Sequence, residues 1–381
     1  YFTSNHRAGM TGISSISDAE RLARLRLLRS ENVGPVTWRQ LMEAYGTATA
    51  ALEAIPELAR RGGRKKPYKI CSKSVAEDEW AATQAVGAHL ISIGEPDYPV
   101  ALAATSDAPP LVTVLGHPHL LNGRCVGMVG ARNASASGIR FARQIASELG
   151  AKDLTVASGL ARGIDAAAHE GSLKTGTIAV VAGGIDIVYP AEHQQLYEQI
   201  IEAGAIIAEQ PVGTKPQGRH FPRRNRVISG LSLGVLVIEA AKKSGSLITA
   251  RMANEQGREV MAVPGSPLDP RCRGSNDLIR QGARLVETVD DIIDALGGMI
   301  MPSVQEPEPD LFDVAKPAPP SDQELENARN LIEEKLGPTP TPIDELIRQC
   351  HLTAAMVFTI LLELELAGRL ERHPGNQVSV L

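Results

Sequence analysis

Ala205-Ile206-Ile207-Ala208, then Gly218-Arg219-His220-Phe221-Pro222-Arg223-Arg224-Asn225-Arg226, then Leu233-Gly234-Val235-Leu236-Val237-Ile238 follow one another along the chain. The first and third are short apolar runs of the kind that form neighbouring buried strands. From Lys215 to Arg226 the intervening segment carries five cations and no acid, in a chain of net charge -5. Such a cluster repels itself unless something anionic sits against it. Flanked by strands, these cations are expected at the edge of a rigid sheet and not on a tail. Guanidinium groups fixed there beside glycine loops suit phosphates.

Outward from this stretch the same alternation repeats. Apolar runs occur at Val126–Val129, Leu154–Ala157, Ile178–Val181, Ala205–Ala208, Leu233–Ile238, Glu259–Val263 and Arg284–Glu287. Each is short, rich in Val and Ile, and followed by glycine and a helix-like segment. Strand–helix repetition at this spacing predicts an α/β domain with a mostly parallel sheet covered on both faces. Ligands of such sheets bind beyond the carboxyl ends of the strands.

The expected divisions are 1–17 (a tag or disordered), 18–95, 96–298, 299–321 and 322–381. Residues 18–95 read as short helices, with Leu22, Leu25, Leu27 and Leu28 forming one stripe before the turn Asn32-Val33-Gly34-Pro35. A turn of this type either presents backbone N–H groups to a phosphate or merely connects two helices. Residues 299–321 are proline-rich and acidic, as in a semi-extended linker. Beyond them, three helices and a hairpin turned at Gly375-Asn376 fit a small winged-helix domain. The helix from Thr353 to Ala367 holds the place of a recognition helix but carries Glu363 and Glu365 and no Lys or Arg. Groove reading needs cations and hydrogen-bonding side chains, so this domain is expected to contact a partner or play an accessory role.

Composition narrows the function classes. Apolar residues make up 43% of the 381, enough for two or three cored domains, whereas aromatics are only 3%, too few for extended base-stacking platforms. The four cysteines are far apart with no Cys-x-x-Cys pair, which speaks against a zinc site or disulfide scaffold and for a reducing, cytoplasmic setting. No apolar run reaches the roughly 18 residues of a membrane span. The start, Tyr1 to Arg7, has no methionine and no apolar targeting core. His117-x-His119 lacks carboxylate or thiol partners, so no metal is expected.

Candidate contacts cluster at the strand ends. Val129-Gly130-Ala131-Arg132 closes the first main strand and Gly138 opens the next helix, where glycine admits a phosphate and the helix terminus adds positive potential. Arg132 would supply charge there, or be an ordinary turn arginine. Without a G-x-G-x-x-G fingerprint or an acid at the end of the next strand, no dinucleotide or other cofactor is expected. Ser158-Gly159-Leu160-Ala161-Arg162-Gly163-Ile164-Asp165 ends the second strand in the same manner. His169 is four residues beyond Asp165 on one helix face. They are either an acid/base pair or, the favoured reading, a capping Asp and a His packed on the sheet. Lys242-Lys243-Ser244-Gly245-Ser246 forms a third anion nest, and Val263-Pro264-Gly265 and Gly274-Ser275-Asn276 repeat the theme.

Taken in order, these blocks resemble the DprA/Smf family of bacterial DNA-processing proteins. Phe221-Pro222-Arg223-Arg224-Asn225-Arg226 and Ser244-Gly245-Ser246-Leu247 are the most specific of them. The resemblance implies an extended Rossmann-like, doubly wound domain between a helical domain (SAM-like or helix-hairpin-helix-like) and a winged helix. It implies binding of single-stranded DNA without sequence preference, a homodimer, and delivery of the DNA to the RecA recombinase in natural transformation. By position, Arg132 matches the family's phosphate-binding arginine. Asn225 and Arg226, with the turns at Ser158-Gly159 and Ser244-Gly245, match the rest of the pocket. The chain departs from the pattern at Ser137, where tyrosine is usual, and at Ala191-Glu192-His193, where many members place a DNA-contacting lysine.

The expected DNA contacts are therefore Gly130, Arg132, Ser158, Gly159, Arg162, Arg223, Arg224, Asn225, Arg226, Lys243, Ser244, Gly245 and Ser246, with no catalytic residue. A rival reading is a nucleotide enzyme, such as a nucleoside-monophosphate glycosidase, with Glu239 as its carboxylate. A third gives the terminal domains a scaffolding role.

Overall fold

The seven predicted runs all become strands of one nine-stranded sheet, in the order β1-β2-β6-β5-β4-β3-β7-β8-β9. This is a computed structural model, and it describes residues 16–300, 322–373 and 375–381. The linker from 301 to 321 and the first 15 residues lie outside the described residues.

Four helices come first: α1 (Asp18–Leu28), α2 (Pro35–Tyr45), α3 (Ala48–Arg61) and α4 (Lys73–Ala85). Ser17, Thr47 and Ser72 cap three of them through hydroxyls that accept N–H bonds, while α2 starts with Pro35 after Gly34, without a side-chain cap. Leu27, Trp38, Leu41, Leu52 and Ile55 form their core.

The sheet follows: β1 (His89–Ser92), β2 (Leu111–Gly116), β3 (Cys125–Gly130), β4 (Thr155–Ser158), β5 (Thr177–Gly184), β6 (Ala205–Gln210), β7 (Gly234–Ile238), β8 (Glu259–Ala262) and β9 (Arg284–Leu285). From β6 to β9 across the sheet every pairing is parallel, while β1 and β2 add an antiparallel edge on β6. These two strands were not anticipated, and β1 places the start of the sheet at His89. The intervening helices are α5 (Val100–Ala103), α6 (Ala136–Gly150), α7 (Ile164–Ser172), α8 (Gln194–Ala203), α9 (His220–Leu231), α10 (Gly245–Glu255), α11 (Arg273–Arg280) and α12 (Val289–Ile300). Strand residues alternate between two cores. Val126, Met128 and Val156 meet α6, α7 and α12 on one face, and Val129, Ala157 and Val180 meet α9 and α10 on the other. The sheet is therefore doubly wound.

The C-terminal unit comprises α13 (Asp322–Lys335), β10 (Thr341–Pro342), α14 (Ile343–Cys350), α15 (Ala354–Leu366), β11 (Leu370–His373) and β12 (Gln377–Val380), the last two joined through positive-φ Gly375 and Asn376. Two such residues match the twist of a tight hairpin. The arrangement is a winged helix.

Helix α15 is buried against the N-terminal helices of the same chain. Leu362 and Leu366 belong to the core of α1–α3. Asn32 Nδ2 donates to the Leu366 carbonyl at 3.3 Å and Arg369 Nη1 to the Gly62 carbonyl at 3.3 Å. Glu363 is fully buried and pairs with Arg329. The apolar, cation-free character of α15 goes with this contact between the first and last domains of the chain. No single helix among the described residues is long and apolar enough to cross a membrane.

Candidate nucleic-acid interface

Strand order reverses between β3 and β7, which are direct neighbours although three strands of the sheet separate them in sequence. An open sheet leaves a crevice at that point. Here it is a cleft of about 580 Å³ at the carboxyl ends of both strands. The end of β3 supplies Gly130 and Arg132, the first turns of α9 supply Arg224 and Asn225, and the turn into α10 supplies Lys243, Ser244, Gly245 and Ser246. Eight of the thirteen expected contacts therefore share one cleft. Asn133, Phe221 and Arg271 line it too. Asn133 and Arg271 were missed, since neither belongs to a glycine block.

Two cations in the cleft are uncommitted. Arg132 and Lys243 are exposed, and among the described residues neither has an ion pair. The Arg132 guanidinium carbon lies 5.5 Å from the centre of the Phe221 ring, which in turn lies 5.6 Å from the ring of Tyr189. An aromatic face orients a guanidinium without neutralising it. Arg271 is different, because Asp269 holds it at 2.7 Å.

Arg224 lies beneath this surface. It is buried, and Nη1 donates to the carbonyls of Gly159 and Val180. Burial pulls its pKa down while the nearby Asp165 carboxylate opposes the shift. Its charge contributes to the field of the cleft floor, and Nη1 is fixed by backbone. Asn225 Nδ2 reaches the Gly245 carbonyl at 3.4 Å and so ties α9 to the α10 turn.

The remaining expected contacts are placed elsewhere. Arg226 faces away from the cleft, with its side chain 9% exposed and Nη2 at 2.5 Å from Glu209 Oε1. Nη1 donates to the Asp107 carbonyl. One helical turn carries Arg224 and Arg226 to different sides of α9, which spacing in the sequence does not display. Arg223 opens onto a second cleft, of about 570 Å³, between the helical domain, the sheet and the winged helix. The Gly34-Pro35 turn lines that cleft as well. Arg162 is exposed but paired with Glu192 at 2.5 Å. That carboxylate stands in the Ala191-Glu192-His193 segment, and the Arg162 bond holds its pKa below the usual range. Ser158 is fully buried, donating to the Met128 carbonyl at 2.6 Å.

The backbone amides of the glycine turns are also partly used. Asp165 Oδ2 accepts from the N–H groups of Gly159 and Ala161 at 3.1 and 3.4 Å. Gly159 is glycine for another reason: a Cβ would stand 2.1 Å from Arg224 Nη1. Likewise a Cβ at Gly130 would meet the Ile238 carbonyl at 2.0 Å, so this glycine brings β3 against β7. At the start of α6, the Ser135 N–H donates to Glu239 Oε2 at 2.8 Å. Only the third turn, at 244–246, has open space, with nothing within 4 Å of a Cβ at Gly245.

Asp165 and His169 are not an acid/base pair in this cleft. His169 is fully buried, and its Nδ1 meets Thr177 Oγ1 at 2.8 Å. The Thr177 hydroxyl donates to the Val156 carbonyl, so it accepts from His169 and the ring carries its proton on Nδ1. Burial and the Arg224 charge push the imidazole down to about 3. This is the packed-histidine alternative. Among the described residues no group of three or more His, Cys, Asp or Glu side chains could hold a metal.

Comparison with known proteins agrees with this architecture piece by piece. The DNA recombination-mediator protein A family matches residues 89–297, the DprA-like N-terminal HHH domain residues 18–82, and the DprA winged helix domain residues 316–376. Protein Smf of Escherichia coli strain K12 is 41% identical over 298 residues, covering 76% of this chain and 77% of that protein. The X-ray structure of DNA processing protein A from Streptococcus pneumoniae superposes with a TM-score of 0.59 at 31% identity, covering 73% of this chain and 96% of that one. DNA processing protein A from Helicobacter pylori, whose structure was described for its single-stranded DNA binding mode, gives 0.51 at 25% identity, covering 56% and 96%. Three domain matches in the observed order, with a full α/β domain among them, make the chain a member of the DprA/Smf family of DNA-processing proteins.

Proposed function

We propose that this protein binds single-stranded DNA without reading its sequence and hands it to a RecA-type recombinase, acting as a homodimer in DNA uptake and processing. The observation carrying the binding step is that Arg132 and Lys243, both exposed and without carboxylate partners, flank the open 244–246 turn in one cleft. A phosphate between them meets two cations and the start of α10, whose dipole favours anions. Asn225 holds the turn in place, and buried Arg224 adds positive potential from below. A flexible single strand can bend its phosphates toward these groups, whereas a duplex holds its phosphates on a rigid helical path. Membership of a recombination-mediator family supports the recombinase partner.

A glycosidase reading needs Glu239 free to act on substrate. Its two oxygens instead accept from the N–H and hydroxyl of Ser135. The binding reading is therefore the better supported.

Titration of short single- and double-stranded oligonucleotides at several salt concentrations tests it. Two to three neutralised phosphates predict a slope of log affinity on log salt of about -1.4 to -2 for single strands. Preference for duplex, or absence of binding at low salt, would overturn the proposal. Release of free base from nucleoside monophosphates would favour the enzyme instead.

A further inference from the structure

The start of α6 already holds an anion, and the chain supplies it. Glu239, the first residue after β7, reaches across to the neighbouring β3–α6 turn. There Oε2 accepts from the Ser135 N–H at 2.8 Å and Oε1 from the Ser135 hydroxyl. The same Ser135 oxygen accepts from the Gly138 N–H at 2.9 Å, so carboxylate, hydroxyl and amide form one chain of hydrogen bonds at the helix end.

The surroundings are shaped around this carboxylate. A Cβ at Gly138 would come within 2.8 Å of Glu239 Cδ, so any larger residue there would displace the group. Glu239 itself has φ of +53°, in the left-handed region that non-glycine residues seldom occupy. Such a backbone persists where surrounding contacts over-determine it. The start of α10, which lines the cleft, differs: among the described residues no carboxylate reaches it, its Ser246 N–H donates to Ser244 Oγ at 3.3 Å, and Gly245 is open.

We propose that Glu239 acts as an internal substitute for a phosphate, closing the α6 terminus to a nucleotide's phosphate and leaving α10 with Arg132 and Lys243 as the cleft's anion position. It is a specificity-determining residue. The cleft lies where doubly wound sheets bind nucleotides, and α6 begins just beyond the β3 end that supplies Gly130 and Arg132, so with its start pre-filled a strand can cross the cleft while a mononucleotide gains no anchor at α6. The occupancy of α6 stands on geometry alone. Its consequence for selectivity rests on the single-stranded DNA reading, so the experiment separates the two.

Inorganic phosphate is the probe, at matched ionic strength against chloride, with the full chain in three forms: wild type, Glu239→Ala and Glu239→Gln. Removing the carboxylate in Glu239→Ala opens an anion-sized gap beside the Ser135 N–H. Phosphate is expected to raise the melting temperature of this variant by several degrees and to bind at least tenfold more tightly than to wild type. Glu239→Gln fills the gap with a neutral isostere and is expected to show no such rescue. Equal phosphate shifts in all three forms would overturn the proposal. So would failure of Glu239→Ala to fold even in phosphate, because a replacement anion must restore what the carboxylate did. Oligonucleotide binding measured on the same samples reports separately: its absence in wild type, with phosphate rescue intact, would discard the DNA reading and keep the filled helix end.

Discussion

Arg226 donates through Nη2 to Glu209 at 2.5 Å, and the pair lies on the side of α9 opposite the cleft entered by Arg132. With side chains 9% and 19% exposed, both ions are largely out of water. Leaving either without its partner costs about 3 kcal/mol or more. Arg226→Ala is therefore expected to lower unfolding free energy by about that amount while leaving the salt slope of DNA binding unchanged. Denaturant melts and salt titrations on the same preparation check both halves.

Arg132 behaves in the opposite way. Its guanidinium is exposed against Phe221 and forms no ion pair among the described residues. Arg132→Ala should flatten the single-strand salt slope by about 0.7 and change stability by less than about 0.5 kcal/mol. An unaltered slope would remove Arg132 from the interface.

Glu192, in the short segment before α8, ties up Arg162. Freeing that arginine by Glu192→Ala should strengthen single-strand binding several-fold at low salt and steepen the slope by up to about 0.7. No gain at any salt concentration would show that Arg162 lies off the strand's path.

His169 gives the fold a pH dependence. Its folded pKa of about 3 lies below the ordinary 6.5, so the folded state keeps the ring neutral while the unfolded chain takes up a proton. The stabilisation is complete above about pH 6.5 and is lost as pH falls toward the folded value, at up to about 1.4 kcal/mol per pH unit. His169→Asn, which retains a hydrogen-bonding group near Thr177, should flatten the acid limb of a stability-versus-pH curve.

Gly62 is where the first and last domains meet most closely, since a Cβ there would lie 2.0 Å from the Glu363 carbonyl. Gly62→Ala must push α15 away, at about 1–3 kcal/mol for an overpacked contact. Hydrogen exchange should quicken at Leu362 and Leu366 and remain unchanged in β3 and β7.

The sheet was legible because its central strands β3 to β7 are apolar on both faces and stand out as short buried runs rich in Val and Ile. β1 and β2 escaped because an antiparallel edge pair of four and six residues, separated in sequence by α5, carries little pattern of its own. Among site residues, Arg132, Asn225 and the Lys243 to Ser246 turn were visible as chemistry placed at strand ends. Asn133 and Arg271 left no such mark, being ordinary residues carried to the rim by the chain's return.

Residue order by itself determined the α/β alternation, the glycine turns at the strand ends and the surplus of cations between β6 and β7. Each is a local property, written in neighbours a few positions apart. Which charges remain free was decided only in three dimensions, because Glu209, Glu192 and Glu239 reach their partners across the fold, while Asp165 folds back onto the N–H groups of its own turn. Neutralisation depends on distance through space, and four carboxylates close to a cation or an amide separate the cations and amides left open to solvent from those that hold the protein together.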